Sequence, residues 1–388
     1  MSERNEDMTR ARADLLAWSR VRGIGPGSIS RLRRHFGSLR DAWQAPEAEL
    51  QASGLRKPAV QEALKARQRL HIEDEISQLE RRQIGWLTIL DPEYPPLLKN
   101  IANPPLVLYW QGARARWPDF ALAIVGTRKA SRDGLQAAHE FAGTIADQGY
   151  TIVSGLAQGI DATAHEAALT SRGGTIAVLG SGVEEIYPKR NRPLAARIQD
   201  NGMVISEFAP KVKPVPGNFP YRNRIISGLS LGVLVVEAPA RSGALNTAQH
   251  AAEQGRDVFA VPQNIYAQAG RGCNDLLADG ALIARNAQDI LHVLRGNPWL
   301  RTARPTQREE DARSALQQDE AMPTMPPQTL SETERSILER LSNSTQHVDE
   351  IAQQSSLPAT TVSSTLTLLE IKGLVELVGA MQYRKLKP

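Results

Sequence analysis

Short apolar runs that end in small or hydroxylated residues recur through the middle of the chain, and helical stretches separate most of them. The first run, residues 121–125, ends at Gly126, and the second, residues 150–153, ends at Ser154. Between them, apolar side chains recur at helical spacing over residues 133–149. Buried parallel strands alternate with helices in this way, so the pattern predicts an α/β fold with a Rossmann-like, doubly wound, mostly parallel sheet. Four more strands are expected at 175–179, 202–206, 231–236 and 257–261.

The region before this sheet has mainly helical spacing, which predicts a helical domain of the SAM or helix-hairpin-helix kind over residues 1–83. A glycine-rich turn at residues 21–27, V-R-G-I-G-P-G, resembles the turn of a helix-hairpin-helix, where glycine lets backbone amides approach a nucleic-acid phosphate. Arg31, Arg33 and Arg34 follow the turn. A structural turn beside a solvated basic helix face explains the same residues, so both interpretations stand.

Two strand-like segments precede the first apolar run, so we place the sheet domain over residues 84–296. Residues 297–329 are charged, rich in glutamine and interrupted by proline, a composition that predicts a linker. Residues 330–388 show three helical stretches and then a hairpin, the element order of a winged helix. The third helix, residues 359–372, carries hydroxyls and one lysine, so a protein-contacting or supporting role is at least as well supported as DNA reading.

The overall charge is mildly basic, which permits a nucleic-acid partner without requiring one. The chain has 388 residues, with 46 Lys and Arg against 42 Asp and Glu and a net charge of +4. A lone cysteine, Cys273, excludes a disulfide framework within the chain and fits a reducing compartment. The N-terminal residues are polar and charged, and no stretch approaches the roughly 20 apolar residues that span a bilayer. We therefore expect a cytoplasmic protein without a membrane partner.

The usual nucleotide-binding and catalytic motifs are missing from the sheet domain. The first strand is not followed by G-x-G-x-x-G, and no G-x-x-x-x-G-K-[ST] occurs, so neither a dinucleotide nor a P-loop nucleotide is indicated. Ser181 lies in a G-S-G turn with no Asp/His pair placed to activate it. Asp161 and His165 share a helix face, but a helix cap and a packed histidine explain them better than an acid/base pair. We expect no cofactor, no metal and no catalytic residue.

Chemistry that suits an anion gathers instead at the predicted carboxyl ends of the strands, where ligands bind in open α/β sheets. After the first strand, glycine permits close backbone approach and Arg128 adds a permanent, forked cation. The later segment F-P-Y-R-N-R, residues 219–224, has two arginines that can grip phosphate and aromatic rings that can stack on bases. For Arg224 the alternative is an ion pair with a buried carboxylate such as Glu237. The candidate nucleic-acid site comprises Gly126, Thr127, Arg128, Lys129, Ser154, Gly155, Lys213, Phe219, Arg222, Asn223, Arg224, Ser242 and Gly243.

Seven motifs stand in order over most of residues 120–285: AIVGTRKAS, IVSGLAQGIDATAH, GGTIAVLGSGVEEIYP, ISEF, NFPYRNRIISGLS, VVEAPARSGALNTAQHAAEQGRDVFAVP and LLADGALI. This ordered set closely resembles the DNA-processing protein A family, DprA, also called Smf. The resemblance implies a non-enzymatic protein that binds single-stranded DNA in its Rossmann-like domain and forms a homodimer through that domain. It further implies a recombination mediator that protects incoming DNA and loads the RecA recombinase during natural transformation. The family's DNA-contacting residues fall on Arg128, Phe219 and the segment Arg222 to Arg224.

The sequence departs from the family pattern at three positions. The usual G-S-R turn has Thr127 in place of serine, which keeps the hydroxyl. The usual V-P-G has Gln263 in place of glycine, which is expected to change a loop. A lysine often found three residues before the family's phenylalanine is Pro216 here, with Lys211 and Lys213 nearby.

Two other functions fit parts of the sequence. Similar Rossmann-like proteins hydrolyse nucleoside monophosphates and carry a P-G-G-x-G-T-x-x-E motif. The corresponding stretch here, residues 242–247, lacks the double glycine, and His250 stands at the position of the carboxylate. A winged-helix regulator would bind duplex DNA sequence-specifically through residues 330–388 alone. Single-stranded DNA binding with recombination mediation is the function that the sequence favours.

Overall fold

The structure, a computed structural model, describes residues 2–113, 117–118, 120–297, 332–341, 346–355, 357, 361–362, 365–366, 369, 374–379 and 382–385. The chain forms two compact units, Met1–Thr306 and Gln307–Pro388. The helical segment and the large sheet belong to the first unit, and the predicted winged helix belongs to the second. The domain boundaries at residues 83, 296 and 329 stay predictions. Over the described ranges, no helix is long and apolar enough to cross a membrane.

The described N-terminal part of the first unit is helical: α1 Ser2–Ser19, α2 Pro26–Phe36, α3 Leu39–Gln44, α4 Glu47–Ala52, α5 Lys57–Arg69 and α6 Ile72–Arg81. The predicted glycine-rich turn joins α1 to α2. Gly23 in this turn has φ +86, a left-handed conformation that a side chain would strain. Trp18 is fully buried and donates its indole N–H to Leu39 O at 3.0 Å. The same core continues onto Tyr109 of the sheet, so the helices pack directly against the sheet.

A nine-stranded sheet forms the centre of the first unit: β1 Gly85–Thr88, β2 Val107–Gln111, β3 Ala121–Val125, β4 Thr151–Ser154, β5 Thr175–Val178, β6 Met203–Ser206, β7 Gly232–Val235, β8 Asp257–Ala260 and β9 Leu282–Ile283. The order is β1-β2-β6-β5-β4-β3-β7-β8-β9. β3 to β9 are parallel, and β1 and β2 join antiparallel at one edge. The predicted doubly wound, Rossmann-like sheet is confirmed. The sequence pattern does not predict β9, because two residues are too few to show a period.

Helices connect and flank these strands: α7 Pro96–Lys99, α8 Arg132–Asp147, α9 Ile160–Ala168, α10 Arg192–Asn201, α11 Asn218–Gly228, α12 Gly243–Glu253, α13 Arg271–Ala278 and α14 Ala287–Arg295. The helix predicted over 133–149 is α8, and the Ser131 hydroxyl caps it by accepting the Gly134 N–H at 3.0 Å. The sequence pattern does not predict α11. Residues 222–228 of α11 are all buried, so this helix lacks the alternation of apolar and polar faces that marks a surface helix.

Apolar side chains fill both faces of the sheet. Val125 and Ile205 point to the face that α11 covers with Ile225. Ile124 lies on the other face, where α8 contributes Phe141. Burial on both faces explains why the strands are continuous apolar runs rather than alternating ones.

The described part of the second unit contains α15 Glu332–Arg340, α16 Val348–Ser355 and the strands β10 Gln346–His347, β11 Val375–Gly379 and β12 Gln382–Lys385. The strands pair antiparallel in the order β10-β12-β11. Ile337, Ile351 and Leu366 are buried in one core. These elements agree with a winged helix. Most of the predicted third helix, 359–372, and almost all of the predicted linker, 297–329, lie outside the described residues.

Candidate nucleic-acid interface

The candidate site lies where the winding of the sheet reverses. β3 pairs with β4 on one side and with β7 on the other, so a crevice opens at the carboxyl ends of β3 and β7. A Cβ atom at Gly126 would lie 2.8 Å from Ile160 Cβ and 2.9 Å from Glu237 O, so only glycine fits there. The Thr127 N–H donates to Glu237 O at 2.7 Å and ties the two strand ends together.

A cleft of about 590 Å³ occupies this crevice. The turn after β3, the helix α11 and the N-terminus of α12 form its walls. Most of the predicted site residues line this cleft: Gly126, Thr127, Arg128, Lys129, Phe219, Arg222, Asn223, Ser242 and Gly243. The fold therefore brings together three segments that are far apart in the sequence.

Two aromatic rings and an arginine lie together at the cleft. The exposed Arg128 guanidinium is 5.9 Å from the Phe219 ring centroid. The Tyr187 ring centroid lies 5.5 Å from that of Phe219 at an interplanar angle of 46°. A more enclosed cavity of about 190 Å³ adjoins these side chains and is also lined by Gln158 and Arg190. Sequence reasoning missed Tyr187, Gln158 and Arg190, and the aromatic residue in E-I-Y-P was the available signal.

The rim of the cleft is positive. Arg128, Lys129 and Arg241 line it and are exposed. Within the part of the chain that the structure describes, none of these three cations has a carboxylate at ion-pair distance. Sequence reasoning missed Arg241. Lys213 is exposed but does not line the cleft, whereas Pro216, which replaces the family's lysine, does.

The backbone N–H of Gly155, which the sequence suggested as a phosphate donor, is bonded to the Asp161 side chain. Asp161 Oδ2 accepts the Gly155 N–H at 3.1 Å and the Ala157 N–H at 3.3 Å. Burial raises the pKa of Asp161, and the Arg222 guanidinium opposes that shift. The expected cap role is wrong, because Gly159 occupies the N-cap position of α9. Asp161 lies in the first turn of the helix and organises the loop before it. The Gly155 N–H is therefore already engaged by a carboxyl oxygen of the protein, and its contact with phosphate stays a prediction.

Two other predicted residues use their side chains within the protein. The Ser154 hydroxyl is buried and donates to Ile124 O at 2.6 Å. The Asn223 side-chain amide donates to Gly243 O and to Asn246 Oδ1, both at 3.2 Å, and so joins α11 to the start of α12. Asn223 lines the cleft and Ser154 does not, and the contacts of both residues with nucleic acid stay predictions.

Arg222 lies in the wall of the cleft and is only 5% exposed. Its Nη1 donates to Gly155 O at 3.0 Å and to Val178 O. Burial lowers the pKa of Arg222 to about 10, with the charge of Asp161 acting in the opposite direction. Arg222 therefore joins the carboxyl ends of β4 and β5 while it keeps a positive charge beneath the cleft. The bidentate phosphate grip expected from the sequence would compete with these carbonyl contacts, and it stays a prediction.

His165 is a buried residue behind the cleft. Its Nδ1 lies 2.6 Å from Thr175 Oγ1. Burial lowers the pKa of His165 to about 3, and the charge of Arg222 acts in the same direction. The imidazole is therefore neutral at physiological pH, which agrees with the packed, hydrogen-bonded histidine expected from the sequence.

Arg224 has a structural partner. Its Nη1 and Nη2 donate to the two carboxylate oxygens of Glu207 at 2.6 Å each, and its Nε donates to Asn103 O at 2.9 Å. The expected ion pair is therefore present, but the suggested partner, Glu237, is wrong. Glu237 instead accepts the N–H and hydroxyl of Ser131 at 2.9 Å each. Arg224 does not line the cleft, and its contact with nucleic acid stays a prediction.

The two other departures from the family pattern serve local contacts. The Thr127 hydroxyl accepts the Lys129 N–H at 3.2 Å and holds the turn after β3. Gln263 donates its side-chain amide to Val236 O at 2.9 Å, and its N–H donates to Asn274 Oδ1 at 3.0 Å. The glutamine thus ties the loop after β8 to the end of β7, a contact that glycine cannot make.

The fold and the cleft define a Rossmann-like α/β protein that has a C-terminal winged helix and lacks the G-x-G-x-x-G dinucleotide loop. The chain belongs to the DNA recombination-mediator protein A family. The family's sequence profile matches residues 85–295, and the profile of the DprA winged helix domain matches residues 321–380. The family expected from the sequence motifs is confirmed.

Relatives match along most of the chain. Protein Smf from Synechocystis is 37% identical over 390 residues, which cover 95% of this chain and 98% of that protein. The X-ray structure of DNA processing protein A from Streptococcus pneumoniae matches with a TM-score of 0.62 and 34% identity, covering 72% of this chain and 97% of that one. A structure of DNA processing protein A from Helicobacter pylori, described for its single-stranded DNA binding mode, also matches. The TM-score is 0.50 at 30% identity, and the match covers 55% of this chain and 96% of that one.

Proposed function

We propose that this protein binds single-stranded DNA in the cleft between β3, α11 and α12. The observation that carries the proposal is the grouping of the Phe219 and Tyr187 rings with the exposed Arg128. Sites that bind single strands of any sequence combine two features: aromatic rings on which bases stack, and cations that contact the phosphates. The single-stranded DNA binding mode described for the Helicobacter pylori relative supports the same function here.

The bases are proposed to enter the enclosed part of the cleft. The cavity of about 190 Å³ beside Phe219 and Tyr187 is bounded by flat rings, which suits a nucleobase. Gln158 and Arg190 supply hydrogen-bonding groups at its edge. A base has to leave its stack to enter such a cavity, so a duplex is disfavoured and the strand selectivity follows from shape.

The phosphates are proposed to follow the positive rim. Arg128, Lys129 and Arg241 line the cleft there as exposed cations. Ser242 and Gly243 begin α12, and a helix N-terminus supplies backbone N–H donors to an anion. Arg222 adds charge from below while it stays bonded to carbonyl groups. The affinity should therefore be strongly salt-dependent.

We further propose that this protein is a cytoplasmic recombination mediator, which protects incoming DNA and loads RecA during natural transformation. The description of the matching family, DNA recombination-mediator protein A, supports mediation. A homodimer through the sheet unit is part of this proposal. Leu282 and Ile283, which are 39% and 51% exposed on the edge strand β9, are apolar surface that such a dimer would cover.

The proposed function includes no catalysis and no cofactor. Asp161 is the one acidic residue among the described residues that line the cleft. It is buried, and two backbone N–H groups donate to it. His250, at the position of the carboxylate in nucleotide-hydrolysing proteins, has its Nδ1 3.4 Å from Glu253 on the same helix. Neither group is placed to activate water on a nucleotide, which supports binding over hydrolysis.

One binding series tests the proposal. Gel shifts at several salt concentrations would compare single-stranded and duplex oligonucleotides with the full chain. Arg128→Ala should weaken single-strand binding about tenfold and lower the slope of log K against log salt by about 0.7, because one phosphate contact is lost. Arg172→Ala removes an exposed arginine that does not line the cleft, so it serves as the control and should bind like the wild type.

Several results would overturn the proposal. Equal affinities for the Arg128 and Arg172 variants would place the DNA elsewhere. Sequence-specific duplex binding by residues 330–388 alone would favour the winged-helix regulator. Base released from nucleoside monophosphates would show an enzyme. For the mediator role, the protein should speed the onset of RecA ATPase on single strands already coated with a single-strand-binding protein, and no acceleration would contradict it.

A further inference from the structure

We propose that the bound strand continues from the cleft onto the N-terminal hairpin, so that the helical segment forms the second half of the DNA-binding surface. The ligand there is the sugar-phosphate backbone of the same single strand. This inference rests on the proposed function. Its starting point is the first turn of α11, where Pro220 lines the cleft and the next residue, Tyr221, is exposed but does not line it.

Tyr221 offers a fixed aromatic surface just outside the cleft. Its side chain is 44% exposed. Its hydroxyl accepts a hydrogen bond from the Asn103 side-chain amide at 3.1 Å, and its ring lies 3.9 Å from the Arg224 guanidinium carbon. A ring held on two sides and open on the others is a preformed stacking platform. Tyr221 lies about 200° around α11 from Phe219, so a strand that passes from one ring to the other has to cross the exposed Pro220 on the first turn of this helix.

The glycine-rich hairpin is the next feature along this surface. A Cβ atom at Gly25 would lie 4.0 Å from Asn103 Oδ1, so the hairpin adjoins the residue that holds Tyr221. The exposed Arg31 is also part of the hairpin surface, because its Nη2 donates to Ser28 Oγ at 3.2 Å. Pro220 at the cleft, Tyr221, Asn103 and the hairpin are therefore successive neighbours, and Arg31 lies at the end of this path.

Packing does not explain two of the hairpin glycines. Gly25 has an extended backbone with φ −138, and Gly27 has no positive φ. The nearest described atoms to a Cβ at these positions lie 4.0 and 3.9 Å away, which is ordinary contact or open space. Gly126 in the cleft, by contrast, is required by its neighbours. A glycine that neither the backbone conformation nor the packing requires is explained when a ligand backbone must approach closely.

The test compares two variants of the full chain on two thymidine oligonucleotides, one of about 5 and one of about 25 nucleotides, a range that spans short and extended single-strand sites. Arg31→Glu should lower the affinity for the long oligonucleotide about tenfold and leave the short one unchanged, because the short strand fills only the cleft. Arg33→Glu is the matched control. It makes the same charge change on an exposed residue of α2, about 200° around the helix from Arg31, and should change either affinity less than about twofold.

Each result decides the question. Equal losses for the Arg31 and Arg33 variants would overturn the inference and indicate a general charge effect. An equal loss for Arg31→Glu on the short and the long oligonucleotide would also overturn it, because Arg31 would then act on DNA that fills only the cleft. Wild-type protein that binds neither oligonucleotide would refute the proposed function itself, and this outcome is distinct from the loss of the length dependence alone.

Discussion

The buried ion pair between Arg224 and Glu207 should control the stability of α11, and Glu207→Gln tests this with almost no change of shape. The two side chains are 7% and 11% exposed, and two hydrogen bonds of 2.6 Å join them. Burial disfavours the charged guanidinium, but the hydrogen bonds and charge of Glu207 outweigh it and raise the pKa of Arg224 above its ordinary value. The arginine thus stays charged and depends on this one carboxylate.

The expected loss in the free energy of unfolding follows from the hydrogen bond that a glutamine at position 207 cannot accept. One of its two terminal atoms is an NH₂ group, so one charge-assisted hydrogen bond, about 1.5–3 kcal/mol, is lost. Removing the charged partner from a buried pair costs about 3–5 kcal/mol in total. Arg224 retains the carbonyl oxygens of Asn103 and Tyr221, so we expect the low end, about 3 kcal/mol. The double variant Glu207→Gln/Arg224→Met should lose less than the sum of the single losses, with a coupling of about 2 kcal/mol.

Urea unfolding followed by tryptophan fluorescence measures this effect, because the tryptophans that the structure describes all lie in the first compact unit: Trp18, Trp43, Trp86, Trp110 and Trp117. A loss below about 1 kcal/mol for Glu207→Gln, or full additivity in the double variant, would refute the reasoning. The folded double variant should also bind a short thymidine oligonucleotide like the wild type, because Arg224 does not line the cleft. Loss of that binding would show that Arg224 contacts DNA directly.

Two further predictions concern the cleft and the residues behind it. Phe219→Ala should weaken single-strand binding by about 1–3 kcal/mol, the contribution of one stacked base, in a fluorescence-anisotropy titration. Tyr266→Ala, which removes an 85% exposed ring that does not line the cleft, is its control, and equal losses would contradict stacking on Phe219. Burial lowers the pKa of His165 to about 3, so the unfolded chain takes up a proton near pH 6.5 while the folded chain does not. Stability should therefore fall as the pH drops from about 6.5 towards 3, by about 2 kcal/mol at pH 5. His165→Gln should reduce this slope in urea unfolding at different pH values, and an unchanged slope would disprove the assignment.

The strands that carry the site could be predicted because they are buried on both faces. A continuous apolar run that ends in Gly126 or Ser154 has few other structural explanations, and both runs are observed as strands within one residue of the expected limits. The edge strand β9 and the helix α11 could not be predicted. The first is too short to show a period, and the second is buried on all sides over residues 222–228.

Local sequence identified the residue types of the site but not what each side chain contacts. Arg128, Arg222 and Arg224 are equally able to hold phosphate when they are considered as a sequence. The structure separates them: Arg128 is exposed at the rim, Arg222 is bonded to strand carbonyls, and Arg224 is paired with Glu207. Tyr187 joins the site only because the loop after β5 folds back beside α11, which no local pattern records.

The sequence by itself determined the fold class, the family and the edge of the sheet at which a ligand would lie, because burial period, glycine placement and motif order are local properties of the chain. Tertiary structure alone decided which groups are available to a ligand. Whether a cation is free depends on carboxylates and carbonyls that arrive from other segments, as Glu207 does for Arg224 and Asp161 does for the Gly155 amide. Those encounters are set by the three-dimensional packing of distant elements, and the same packing places the N-terminal hairpin beside Tyr221.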